Sequence, residues 1–133
     1  DICVSHELAM DKIKTLSCPA GLGAVTYGFL PLMFFRACPA QTERGCAGCS
    51  GFTPIKDRYS TEFHIMCYYK KYSMLLNSVP LYVCDKDVSP IDFQVLYFTY
   101  ENKDACEKII SAARNKTPLS GKKTGGLYYR ELL

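Results

Sequence analysis

The chain has 133 residues, a net charge of +3, 48% hydrophobic and 22% charged residues, eight cysteines and no tryptophan. The length suits one domain, and the composition excludes a disordered chain. The longest apolar run, Leu22 to Phe35, is broken by Thr26, Gly28 and Pro31. It falls short of the roughly 20 residues a bilayer-spanning helix needs, so no membrane span is expected.

From the N-terminus, Ser5 can cap a helix running to about Leu16, with Leu8, Ile13 and Leu16 near one face. Cys18-Pro19, with Gly21 and Gly23 beyond, ends it. Ala24 to Arg36 reads as one or two buried strands, bent at Gly28 or Pro31. Residues 37–58 carry Cys38, Cys46, Cys49, Pro39 and Pro54, and read as an irregular loop that needs stapling. From Tyr59 to Tyr72 an aromatic run with Phe63, Ile65, Tyr68 and Tyr69 favours β structure. Val79 to Cys84 is a further strand, and Asp85 to Pro90 is a turn cluster. Ile91 to Tyr100 alternates, then becomes apolar on both faces, as a central strand would. The short connections favour antiparallel order. Asn102 or Asp104 caps a second helix through Asn115, with Ala105, Ile109, Ala112 and Ala113 at helical spacing, and Thr117-Pro118 stops it. Leu127-Tyr128-Tyr129 suggests a last strand. The expected fold class is α+β: an antiparallel sheet of about four to five strands packed with two helices, in one disulfide-stapled domain over residues 1–133.

The cysteines are Cys3, Cys18, Cys38, Cys46, Cys49, Cys67, Cys84 and Cys106. An even number, widely spaced in a short chain, reads as a disulfide framework, and bridges persist in oxidising compartments. A secreted, extracellular protein is therefore expected. The opening Asp1-Ile2-Cys3 fits an export signal already removed. Eight thiols allow 105 pairings, and the sequence does not choose among them.

Five features carry possible chemistry. Cys46-Ala47-Gly48-Cys49 with His64 and Cys67 has a spacing zinc can use, but three cysteine ligands would leave an odd number unpaired, so no metal and no cofactor are expected. Glu62 and His64 sit two apart on a strand and so share a face. They are the minimum for general acid–base work on a ribose hydroxyl, although two polar residues on a wet strand face explain them as well. Tyr68-Tyr69-Lys70-Lys71-Tyr72 interleaves aromatics with cations, a pattern that stacks single-stranded nucleic acid or, more simply, marks an edge strand guarded by lysines. Residues 103–133 hold seven Lys/Arg and three Asp/Glu, against nine and ten in residues 1–102. Lys70, Lys71, Arg114, Lys116, Lys122 and Lys123 are thus the candidate surface contacts. Asn115-Lys116-Thr117 is a glycosylation sequon, weakened by the following Pro118.

Tyr59-Ser60-Thr61-Glu62-Phe63, the stretch Tyr72 to Tyr82 with Pro80, and Asp92 to Tyr100 followed by Cys106 resemble the secreted ribonuclease-like effectors of plant-pathogenic fungi. Thr61 stands where the active guanyl ribonucleases have histidine, Phe93 or Gln94 where they have arginine, and no histidine follows the last strand. The two helices and eight cysteines also resemble the wider set of cysteine-rich fungal avirulence proteins. Both resemblances imply a small secreted effector that binds a host component and is detected by a host immune receptor; a monomeric, non-enzymatic chain with a host protein or receptor as partner is expected. A ribonuclease-like hydrolase using Glu62 and His64, and a small basic toxin or inhibitor, are the alternatives. A nucleic-acid partner is the lesser expectation.

Overall fold

The computed structural model describes residues 1–41 and 45–129. The chain divides into two compact units, Asp1–Gly28 with Val79–Leu133, and Phe29–Ser78. The fold is α+β, with two helices and two four-stranded sheets among the described residues, one sheet in each unit.

The first unit is organised by β2 (Leu22–Gly28), where six of seven residues are buried. β2 pairs in parallel with β1 (Ile2–Cys3) and β8 (Phe93–Tyr97), and antiparallel with β7 (Leu81–Tyr82). A strand flanked this way reads as a continuous apolar run, not an alternation. Among the described residues β8 pairs only with β2, so the alternating segment at 91–100 is not the central strand, and the sheet is mixed rather than antiparallel. The long excursion between Gly28 and Phe93 permits the parallel return that a tight turn forbids. Gly23 is required at this contact, because a Cβ there would stand 2.1 Å from the Phe93 ring.

The helix α2 (Lys103–Arg114) forms as the sequence predicts. The Asn102 side chain accepts the Ala105 N–H at 2.9 Å, capping the first turn. Ile109, Ala112 and Ala113 then pack against Tyr27, Tyr82 and Cys84, with Leu96, Phe98 and Leu119 around them. The other helix, α1, is only Met10–Ile13, far shorter than the expected span from Ser5 to Leu16. Ser5 instead holds a turn: its hydroxyl accepts the Glu7 N–H and its carbonyl the Leu8 N–H. Met10 and Ile13 are buried while Leu16 is 45% exposed, so one helical turn satisfies the apolar contacts available. The strand expected at Leu127–Tyr129 is a turn. Tyr128 ties it down through its side chain, donating its hydroxyl to the Val25 carbonyl at 2.8 Å.

The second unit is an antiparallel sheet in the order β3-β6-β5-β4. Its strands are β3 (Pro31–Phe35), β4 (Phe52–Lys56), β5 (Glu62–Tyr68) and β6 (Tyr72–Leu76). The stretch 37–58 is thus not wholly irregular. Pro54 lies within β4, which pairs only with β5, and an edge strand tolerates proline because its N–H need not join a ladder. β3, expected to be buried, exposes Leu32, Met33 and Phe34. The aromatic run from Tyr59 divides into β5 and β6 around a tight turn, because Tyr69 and Lys70 leave the ladder.

Candidate functional site

The hairpin joining β5 to β6 carries the most unusual local geometry. Tyr68 faces Tyr72 across the ladder, and Lys71 donates its N–H to the Tyr68 carbonyl at 2.9 Å. Between them Tyr69 and Lys70 both have left-handed φ values, 48° and 60°. Two successive positive φ angles are the requirement of a type I′ hairpin turn, where Asn-Gly is the favoured pair. A tyrosine and a lysine there each carry a backbone cost of about 1 kcal/mol. Lys70 and Lys71 therefore do not guard a sheet edge: they crown a turn between two inner strands.

An aromatic face runs back from this turn. The register puts Tyr68, Met66, His64 and Glu62 of β5 on one face with Tyr72 and Met74 of β6 and Phe34 of β3. The Tyr68 and Tyr72 rings are stacked, 5.2 Å apart and 2° from parallel. Phe34 lies 6.4 Å from Tyr72, and Tyr69 makes an edge contact to Tyr68 at 6.2 Å. Aromatic pairs at these spacings attract one another by about 0.5–1.5 kcal/mol beyond the area they bury. Tyr69 is 88% exposed and Phe34 67%, so rings that would serve a core are offered to solvent. An aromatic platform with two cations beside it can hold a partner by stacking, by burial of ring surface and by charge.

Glu62 and His64 do meet. His64 Nε2 is 3.4 Å from Glu62 Oε1, and the imidazole lies flat on the Phe52 ring at 4.7 Å. The pair sits at the far end of the same face from the turn.

The remaining cationic candidates belong to the first unit. Arg114 ends α2, Lys116 follows it with a left-handed φ of 51°, and Lys122 lies beyond; all three are exposed. Lys123 is occupied, since its ammonium is 3.3 Å from Asp85 and 4.9 Å from the Tyr82 ring centre. The sequence grouped these four with Lys70 and Lys71, but the fold puts the two groups in different units. Arg130 and Glu131 of the basic segment lie outside the described residues.

The structure joins none of the eight cysteines to another, so the expected stapling is not shown. Cys84 is fully buried, and its sulfur contacts the Thr26 carbonyl and hydroxyl at 3.5 and 3.4 Å. Burial raises its pKa, which makes it a poor nucleophile at neutral pH. Cys46 and Cys49 share a turn, with Cys49 N–H donated to the Cys46 carbonyl at 3.3 Å. Among the described residues, no group of three or more Cys, His, Asp or Glu side chains is placed to hold a metal ion. No described helix is long and apolar enough to cross a membrane.

The motif Tyr-Tyr-Lys-Lys-Tyr stood out in the sequence, but as part of one strand run rather than as a turn between two strands. Phe34 was missed, because an apolar run reads as core and only the sheet order puts it on an exposed edge beside Tyr72. No family model, curated protein or solved structure matches the chain.

Proposed function

We propose that this chain is a non-enzymatic, exported effector that binds a host protein through the aromatic face and cationic turn of the β5–β6 hairpin. The observation that carries the reading is the turn itself. Tyr69 and Lys70 occupy left-handed backbone that Asn-Gly would fill without strain, and Tyr69 is 88% exposed. Strain retained at a solvent-facing residue is a pointer to function, since folding gains nothing from it. Tyrosine is also a residue type that anchors interfaces, with much area and few rotatable bonds. The two lysines favour a partner with an acidic rim around an apolar depression. The even count of cysteines supports export.

The test is an immune-response assay in plant cells expressing the chain. Combined Phe34→Ser, Tyr69→Ala and Tyr72→Ala substitution is expected to lower the response at least ~10-fold, the loss of an anchor worth more than about 1.4 kcal/mol. Glu62→Gln with His64→Ala is expected to leave it unchanged. An unchanged response from the aromatic variant removes the proposal.

One observation favours a second reading, the 3.4 Å approach of Glu62 to His64. A carboxylate beside an imidazole can take a proton from a ribose hydroxyl and return one to the leaving oxygen. Incubating the purified chain with RNA at pH values from acid to neutral decides it. Cleavage lost in His64→Ala supports a hydrolase, and intact RNA throughout dismisses it.

A further inference from the structure

The eight cysteines divide evenly between the two units. Cys3, Cys18, Cys84 and Cys106 belong to Asp1–Gly28 with Val79–Leu133, and Cys38, Cys46, Cys49 and Cys67 to Phe29–Ser78. We infer that each unit closes two disulfides among its own four thiols. Four thiols have three pairings, so three choices in each unit leave nine patterns of the 105 open to eight.

The smaller unit supplies the physical motive. Its 50 residues, 29–78, bury few large apolar side chains, chiefly Ile65, Met74 and Leu76. A domain below roughly 70 residues seldom gains enough from its core alone and is usually stapled. The loop between β3 and β4 is where staples are needed, and the thiols are gathered there. Cys38, Cys46 and Cys67 line one cavity of about 190 Å³, and Cys38, Cys46 and Cys49 line another of about 330 Å³. The Cys49 sulfur accepts the Gly51 N–H at 3.3 Å, and the Gly51 carbonyl accepts the Cys67 N–H at 2.7 Å. All four thiols are thus drawn to the end of the β4–β5 ladder.

In the larger unit, Cys84 lies in the core with Tyr27, Tyr82 and Ile109. Cys106 stands one helical turn before Ile109, and its sulfur is 3.8 Å from the Glu101 carbonyl, whose side chain accepts the Tyr27 hydroxyl. Cys3 lies in β1 beside Leu22 and Gly23 of β2, and Cys18 is on the approach to that strand.

Closure of each bridge takes a hydrogen from each of two thiols. A low-mass disulfide such as oxidised glutathione accepts the two electrons and two protons and leaves as two thiols, through a mixed disulfide that the second cysteine resolves. The inference shares the premise of export with the proposed function but is independent of the hairpin surface.

Trypsin separates the two sets. Cys38, Cys46 with Cys49, and Cys67 fall on peptides 37–44, 45–56 and 59–70, while Cys3, Cys18, Cys84 and Cys106 fall on 1–12, 15–36, 72–86 and 104–108. The full chain is oxidised with glutathione, its free thiols are alkylated to block exchange, it is digested near neutral pH, and its unreduced peptides are weighed. Every linked species is expected to join members of one set only. Cys67→Ser is expected to leave one alkylated thiol among the first three peptides and all links among the other four intact. A peptide joining one set to the other overturns the inference, as does complete alkylation of all eight cysteines. Neither result bears on the plant-cell response to the aromatic variant, so the two proposals fail separately.

Discussion

The two units differ in how much of their apolar surface they cover. In the unit built on β2, large side chains such as Ile13, Leu22, Tyr27, Leu81, Tyr82 and Tyr128 are 0–7% exposed. In the hairpin unit Leu32, Met33, Phe34, Tyr59 and Tyr72 are 40–72% exposed, and Tyr69 is 88% exposed. Composition does not cause the difference, because both segments are rich in aromatic and aliphatic residues. Architecture does. β2 has neighbours along both edges and α2 against its Tyr27, whereas β3 lies at the open edge of its sheet. Where apolar surface is covered, it stabilises by about 25 cal/mol per Å² removed from water. Where it is left bare in an ordered sheet, it is available to a partner.

The largest effect expected from this contrast comes from a paired truncation. Ile13 is fully buried, and Ile13→Ala removes its packing and leaves a cavity, at a cost of about 2–5 kcal/mol. Phe34→Ala removes a larger side chain that is 67% exposed, and its cost is expected to stay near 0.5 kcal/mol. Urea unfolding of the two variants beside the parent measures both. A Phe34→Ala cost equal to that of Ile13→Ala breaks the comparison, since Phe34 would then be part of a core.

How much of this was legible in the sequence depends on whether a local or a distant contact decided each element. The helix at Lys103–Arg114 was legible because its cap, its apolar spacing and its Pro118 stop all lie within the segment. The Glu62–His64 pair was legible because period two puts i and i+2 on one face of any strand. The helix expected from Ser5 was not, because Met10 and Ile13 find their partners within one turn and nothing remains to hold the next. The parallel pairing of β2 with β8 was hidden too. It joins residues about 70 apart, fixed by Leu22 N–H donating to the Asp92 carboxylate at 2.8 Å and by Phe93 packing over Gly23. Exposure of Phe34 followed from sheet order, which no window on the sequence contains.

A second, smaller effect sharpens the comparison through pH. Tyr128 is 2% exposed in the larger unit, and burial pushes its phenol up to about 12 from the usual 10. The unfolded chain therefore loses this proton first. Stability from the buried neutral phenol is complete below pH 10 and is lost as pH rises toward 12. By pH 11 the loss is about 1–2 kcal/mol, because one pKa unit is worth about 1.4 kcal/mol. Tyr128→Phe forgoes the hydrogen bond to Val25, costing about 1 kcal/mol at neutral pH, but should flatten the fall above pH 10. Thermal melts between pH 8 and 11 read the slope. An equal slope in parent and variant would show that Tyr128 ionises freely in the folded chain.

The smallest change in stability bears most directly on what the hairpin unit is for. Replacing Tyr69 by Asn and Lys70 by Gly gives the turn the residues its backbone favours. Relief of two left-handed φ values is expected to stabilise the chain by about 1 kcal/mol, less some entropy that glycine adds to the unfolded state. The stacked pair of Tyr68 and Tyr72 and the ladder behind it should be untouched. A variant more stable than the parent cannot have lost function by unfolding. If its plant-cell response falls while its urea midpoint rises, the strain at the turn is explained by the side chains it displays. If the midpoint rises and the response holds, Tyr69 and Lys70 are dispensable, and the contact surface must be sought among Phe34, Tyr68 and Tyr72 alone.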